Sequence, residues 1–263
     1  MKRNVLITGV SGGMGRAIAE EFLNHGYTVF GTFCSSRDRA QELIEIYGKD
    51  RVCILGPYDF TNLSSTRELL QSLEGISFNA IICNAGFFSG NDDFNNFCLE
   101  EFERIMRCNF YSPLILTIGL KNQIASNGSI VIVSSNDAYS GAYLSISYSV
   151  SKAALLSLMK CLSVNYGTRG VRVNAVTPGA INTDMNTPEQ IKIAPYFTPV
   201  SRVGKPEDVS KVIYFLASEA NFISGDDITI DGGFHNVSIL LKSEADNALS
   251  KGLMDFIQHN SSS

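Results

Sequence analysis

A doubly wound α/β fold, one parallel sheet with helices on both faces, is predicted for this chain by three observations. Seven short apolar runs rich in β-branched residues recur along it, helical patterns fall between them, and a glycine-rich turn directly follows the first run. Strands buried on both faces read as continuous apolar runs, and right-handed crossovers through helices join such strands in parallel. At 263 residues the chain is long enough for one well-buried domain. It shows no interdomain linker, internal repeat or low-complexity run.

The first strand is "NVLITG", Asn4 to Gly9, and the helix after it covers Gly15 to His25, with Gly26 as its stop. "YTVFGTF" is the second strand, followed by a helix over Arg37 to Tyr47, and "RVCILGPYD" is the third, followed by Ser64 to Leu73. "NAIICNAG" leads to a long helix predicted over Leu99 to Asn122, and "GSIVIVSS" to one over Tyr148 to Tyr166. "VRVNAVTPG" precedes the helix Pro206 to Ser218, whose start "KPEDV" places proline and acids in the first turn, and "DDITIDGG" closes the sheet.

Two regions break this rhythm. Asn182 to Gly204 carries three prolines and little periodicity, which predicts a long loop near the C-terminal edge of the sheet, where compact domains place binding loops. Residues 1–234 hold the domain, and 235–263 form a C-terminal extension. In it Ala245, Ala248, Leu249, Leu253, Phe256 and Ile257 have the spacing of an amphipathic helix.

Composition narrows the function classes. The net charge is −5 and the Lys and Arg residues are scattered singly, so no basic footprint for nucleic acid exists. Six cysteines without a C-x-x-C pair, and three histidines, offer no zinc spacing. No metal site is expected, and the thiols are read as reduced. No apolar run reaches the roughly 18 residues of a membrane span, and "MKRNVLITGV" is too short in apolar length for a signal peptide. The expectation is a cytoplasmic protein with a small-molecule partner.

The turn "TGVSGGMGRAIA" puts Gly9, Gly13 and Gly15 between the first strand and the first helix. Glycine there permits positive φ, close approach of backbone to a diphosphate, and tight helix packing, while the helix N-terminus attracts the anion. At the end of the second strand an acid would mark NAD. Phe33 stands at that position, and "CSSRDR" follows with Ser35, Ser36, Arg37 and Arg39. Hydroxyls and a guanidinium suit a 2′-phosphate instead, which favours NADP(H) and keeps NAD(H) as the alternative, since Asp38 is close.

In "YSVSK", Tyr148 and Lys152 stand four residues apart, one above the other on a single helix face. The set T-G-x-x-x-G-x-G at Thr8 to Gly15, "CNAG" at Cys83 to Gly86, "SS" ending at Ser135, Tyr148 and Lys152, and "PGAINT" at Pro178 to Thr183 resembles the short-chain dehydrogenase/reductase family. It is particularly similar to the branch with 3-oxoacyl-carrier-protein reductases, over roughly Lys2 to Phe234. Ser135 lies 13 residues before Tyr148, as in that family.

The resemblance implies a Rossmann-type sheet and a catalytic tetrad of Asn109, Ser135, Tyr148 and Lys152. It implies cofactor contacts from Gly9, Ser11, Gly13, Met14 and Gly15, from Asp59 and Phe60, from Asn84, Ala85 and Gly86, and from Pro178, Gly179, Ile181 and Thr183, with Tyr148 and Lys152 touching the cofactor as well. Asp59 would bond the adenine amine, and Ser35, Ser36 and Arg37 would hold the 2′-phosphate. Structural alternatives stay open: Asn109 caps or kinks its helix, or Asp59 begins the next one as an N-cap. The expected chemistry is hydride transfer between nicotinamide and a carbonyl or alcohol, with Tyr148 as acid or base. Its ordinary pKa is about 10, and the Lys152 ammonium is expected to lower it.

Phe87, Phe88, Tyr139, Tyr143, Leu144, Ile146, Met185 and Tyr196 are the expected pocket lining. Arg104 and Arg107 give only a hint of a carrier-protein dock. The family further implies a homotetramer or homodimer. The readings compared are NADPH-dependent ketone reduction, NAD-dependent alcohol oxidation by the same tetrad, and a nucleotide-binding regulator without turnover, against which the intact tetrad argues.

Overall fold

In the computed structural model of the protein, residues 3–90, 92–141, 143–238, 242 and 244–247 are described. Seven parallel strands form one sheet: β1 (Arg3–Ile7), β2 (Tyr27–Thr32), β3 (Val52–Leu55), β4 (Phe78–Cys83), β5 (Ile124–Val133), β6 (Arg172–Pro178) and β7 (Asp227–Ile230), in the order β3-β2-β1-β4-β5-β6-β7. The chain winds outward from β1 to β3, then returns to place β4 on the other side of β1. That reversal opens a crevice at the C-terminal ends of β1 and β4, where doubly wound sheets bind ligands.

Alternation of side chains explains the unbroken apolar runs. Val5 and Ile7 face α1 (Gly13–Asn24) and α8 (Pro206–Ser218) through Ile18, Phe22, Val209 and Ile213, all fully buried. Leu6 turns to the other face, whose core includes Ile81, Ile130, Leu69 of α3 (Leu63–Ser72), Leu73 just after it, and Leu155 and Met159 of α6 (Ile146–Tyr166). Burying one such side chain contributes about 1.5–3 kcal/mol, so both layers are held by their own cores. α2 (Arg37–Tyr47) covers the β2–β3 end.

The structure departs from the predicted elements in two places. The long helix over Leu99 to Asn122 is interrupted: α4 (Leu99–Met106) runs into a π-helical turn, Arg107–Tyr111, and then α5 (Ser112–Gly119). The predicted loop from Asn182 to Gly204 contains α7 (Pro188–Phe197), begun by a capping box in which Thr187 and Gln190 satisfy each other's backbone N–H groups. Pro188 fits the first turn of α7, and Pro195 lies inside it. All six cysteines are free thiols, and no helix among the described residues is long and apolar enough to cross a membrane.

Of the residues behind the predicted tail helix, Ala248, Leu249, Leu253, Phe256 and Ile257 lie outside the described residues. Glu244 to Asn247 are helical. There the Tyr196 hydroxyl donates to Asp246 at 2.7 Å, and the Lys242 ammonium sits 4.3 Å from the centre of the Tyr196 ring, which sets the start of the extension against α7.

Candidate active site

The glycine turn sits at the mouth of the crevice. Gly9 has φ +78°, the region glycine enters without strain. A side chain there would press on Ala85, 3.3 Å away. Thr8, buried, organises the facing turn: its Oγ1 accepts from the backbone N–H groups of Asn84 and Ala85 at 3.0 and 2.9 Å, while the Asn84 amide donates to the Thr8 and Gly9 carbonyls. Ser11 is half-buried beside the turn, and Met14 packs against the core. Thr183 approaches Gly13 from the loop after β6, and Gly179, 2.6 Å from Asp231 at a would-be Cβ, keeps Pro178 and the strand end tight against β7. Ile181 is buried and bridges to Gly204.

Tyr148 and Lys152 share one face of α6, as their spacing requires. Lys152 is buried, and its ammonium donates to the Val133 carbonyl at 2.9 Å, which pins it to the end of β5. Ser135 follows that strand end by two residues, so sheet order rather than sequence distance brings it beside the Tyr148 phenol. Asn109 stands in the π-helical turn. Its amide grips the Phe87 peptide at both ends, accepting from N–H at 2.7 Å and donating to C=O at 2.9 Å, and also donates to Ser151 at 3.1 Å. A π turn inserts one residue into the helix and re-aims a side chain. A Cβ on Gly86 would lie 3.5 Å from the Lys152 ammonium and 3.7 Å from Asn109 Oδ1, so these three are neighbours.

At the far side of the crevice, Ser35 and Ser36 precede α2, and Ser36 makes no side-chain cap. Arg37 is exposed, and its guanidinium has no partner among the described residues. Arg39 is engaged instead, bound to Asp184 at 2.7 Å. Asp59 accepts from the Thr61 N–H and hydroxyl at 2.9 and 2.8 Å, whereas α3 is capped by Asn62. The Phe60 ring belongs to the core, and its carbonyl accepts from the buried Ser112 hydroxyl at 3.2 Å.

Over residues 9–235 the sequence matches the family model described as Enoyl-(Acyl carrier protein) reductase. The chain is a short-chain dehydrogenase/reductase. Versicolorin reductase stcU of Emericella nidulans is 32% identical to this short-chain dehydrogenase/reductase over 250 residues, 87% of this chain and 94% of that one. The 3-oxoacyl-acyl-carrier-protein reductase of Aquifex aeolicus is 33% identical over 239 residues, 87% and 95% of the two chains. Among solved structures, a short chain dehydrogenase from Burkholderia cenocepacia in complex with NADP superposes with a TM-score of 0.82 at 28% identity, covering 90% of this chain and 98% of that one.

A family member of this kind works with a nicotinamide cofactor, and the residues present fit one. Among the described residues nothing occupies the space where a Gly12 Cβ would stand, Asn84 Oδ1 is a buried acceptor without a hydrogen-bond partner, and Gly9 to Gly15 present the start of α1. Such a concave run of backbone N–H groups at a helix N-terminus is built for a diphosphate.

The electrostatics of the short-chain dehydrogenase/reductase differ from the sequence expectation at one point. Burial raises the Tyr148 pKa well above its ordinary value, the Asp137 charge adds to the rise, and the Ser135 hydroxyl opposes it. Lys152 is not the group that favours the phenolate here: its ammonium lies 5.4 Å from the centre of the Tyr148 ring, bound to Val133. Burial pushes Lys152 itself down to about 8, against the Cys108 and Asp137 charges.

Phe88 meets Tyr148 edge-on at 5.5 Å, and Tyr139, Tyr143, Leu144, Met185 and Tyr196 are exposed. The hint of a basic dock disappears, because Arg104 pairs with Glu101 and stacks on Phe87, and Arg107 pairs with Glu103. Sequence reading passed over Thr8 as an organiser of the Asn84 turn and Asp137 as a charge beside the tetrad. Thr8 was legible as the first residue of the glycine motif; nothing local marked Asp137.

Proposed function

We propose that this protein is an NADP(H)-dependent ketone reductase acting on a small carbonyl substrate. The observation that carries the reading is the Ser135 hydroxyl beside the Tyr148 phenol, with Lys152 on the same helix face and Phe88 edge-on against Tyr148. When bound, the nicotinamide supplies the hydride that reaches the carbonyl carbon. Ser135 donates a hydrogen bond to the carbonyl oxygen, and Tyr148 delivers the proton that oxygen needs as charge develops on it. Lys152 restores the proton and holds the ribose, and Asn109 fixes the Phe87 peptide and Ser151 around it. Oxidation of an alcohol runs the same steps backward.

NADP(H) is favoured over NAD(H) by Ser35, Ser36 and Arg37, which has no partner among the described residues, at the N-terminus of α2: a guanidinium and two hydroxyls suited to a 2′-phosphate. The NADP-bound relative from Burkholderia cenocepacia supports this choice. Titration of the purified protein with NADPH and NADH at fixed salt, followed by nicotinamide fluorescence, is expected to show at least about tenfold tighter binding of NADPH, with Arg37→Ala removing most of the difference. Preference for NADH would move the search to alcohol substrates. Binding of neither would reject the enzyme reading.

The pH profile follows from Lys152. Its ammonium is present below about 8 and lost above it, so kcat for ketone reduction at saturating cofactor is expected to fall as pH rises through that value. Oxidation is expected to rise over the same interval. A flat profile in both directions removes Lys152 from the proton path.

Assembly as a homodimer or homotetramer is part of the same proposal. A groove of about 830 Å³ between the π turn, α5 and α6 is lined by Phe110, Leu114, Ile118, Ala154, Leu158 and Leu162, an apolar surface suited to the matching helices of a second copy.

A further inference from the structure

Asp137 is an acid in the active site that the tetrad does not use. It lies two residues beyond Ser135, in the short 3-10 turn Asn136–Ala138, and its backbone N–H donates to Ser135 Oγ at 3.2 Å. That bond fixes Asp137 to the residue that meets the carbonyl. The turn packs on α6, the helix of Tyr148 and Lys152, and the Asp137 charge is felt by both: it raises the tyrosine and favours the lysine ammonium. The Asp137 side chain is half-buried and makes no hydrogen bond or ion pair with any described residue.

A carboxylate accepts hydrogen bonds and donates none. Removing one from water without a donor is costly, and the cost vanishes when a cation or hydroxyl arrives. Tyr139, Tyr143, Leu144 and Phe88, expected from the sequence to line the pocket, carry no cation. From α6 the Lys152 ammonium favours the Asp137 charge without bonding it, and one of its three N–H donors goes to the Val133 carbonyl. No described residue donates a hydrogen bond to the half-buried carboxylate, so a substrate that brings a donor to it gains a charge-assisted bond there.

We infer that Asp137 is a specificity-determining residue, and that the carbonyl substrate carries a hydrogen-bond donor, a protonated amine in preference to a hydroxyl, which the Asp137 carboxylate receives while Ser135 and Tyr148 hold the carbonyl oxygen. The inference rests on the reductase reading of the same site. It adds the substrate class: an amino ketone ahead of a hydroxy ketone, and both ahead of a plain alkyl ketone.

Three ring ketones of one size test it. Cyclohexanone, 4-hydroxycyclohexanone and 4-aminocyclohexanone are offered to the NADPH-loaded protein and to Asp137→Asn. In the parent, kcat/KM for the amino ketone is expected to exceed that for cyclohexanone at least about tenfold, the factor of one charge-assisted hydrogen bond. The advantage is carried by KM, and Asp137→Asn is expected to bring the ratio near one. Equal rates in the parent, or a preference that survives the substitution, would overturn the inference and leave the reductase reading standing. A second measurement is independent of turnover: calorimetric titration of the NADPH-loaded protein with cyclohexylamine. Binding present in the parent and lost in Asp137→Asn supports the carboxylate as an ammonium site, and absence of binding in the parent counts against it. Reduction of none of the three ketones counts against the reductase reading instead.

Discussion

Tyr148→Phe is expected to lower kcat for ketone reduction by at least about a hundredfold while NADPH binds as tightly as to the parent. The size follows from the step removed, since a positioned general acid is worth roughly 10² to 10⁴ in rate. The selectivity follows from the contacts retained. The phenyl ring left by the substitution keeps the edge-on packing against Phe88 and the place under the Lys152 ammonium that Tyr148 has, 5.5 and 5.4 Å from the respective centres. Only the hydroxyl beside Ser135 is lost. Neither the glycine turn nor the Ser35 to Arg37 segment touches it, so the fluorescence titration is expected to be unchanged within about twofold, a difference of roughly 0.4 kcal/mol. Turnover at the parent rate would take Tyr148 out of the acid role, and weakened NADPH binding would show that the phenol holds the cofactor as well.

What the sequence made legible here divides along the range of the forces involved. The strands were readable because burial on both faces leaves no polar position to break the run, as in Val5, Leu6 and Ile7. Tyr148 and Lys152 were readable because four residues on a helix is a local spacing. Their electrostatic relation was not, because it depends on where the ammonium goes, and it goes to Val133 on β5. The break in the long helix at Arg107–Tyr111 was hidden for a similar reason: Asn109 is held by Phe87 and Ser151, which are distant in sequence. The helix α7 carried its own start signal in Thr187-Pro188-Glu189-Gln190, obscured by Pro195 and by its lack of a buried face. The two arginines after β2 looked equivalent, and Asp184 separates them by taking Arg39 and leaving Arg37.

Gly15→Ala is expected to destabilise the protein by about 3 kcal/mol or more, the upper range for overpacking a tight site, and to lower Tm by roughly 10 °C at this chain length. A Cβ at Gly15 would stand 1.9 Å from the Gly9 carbonyl oxygen and 2.7 Å from the Asn84 amide nitrogen. Neither neighbour yields cheaply. The first is backbone of the glycine turn, and the second is the amide that ties Asn84 to the Thr8 and Gly9 carbonyls. Relief requires α1 to move off β1, which disturbs the core at Ile18 and Phe22 and the turn together. Gly12 supplies the contrast. No described residue lies within 4 Å of a Cβ there, and its φ of −85° and ψ of 159° are ordinary extended backbone. Gly12→Ala is therefore expected to change Tm by no more than about 2 °C, yet to weaken NADPH binding at least about tenfold, because the added methyl would fill space at the start of α1, where the proposed reading seats the diphosphate. Thermal unfolding of both variants with and without NADPH separates the two roles. If Gly15→Ala melted with the parent, the close helix packing assigned to that glycine would be wrong; if Gly12→Ala bound NADPH as the parent does, the diphosphate would have to lie elsewhere along the turn.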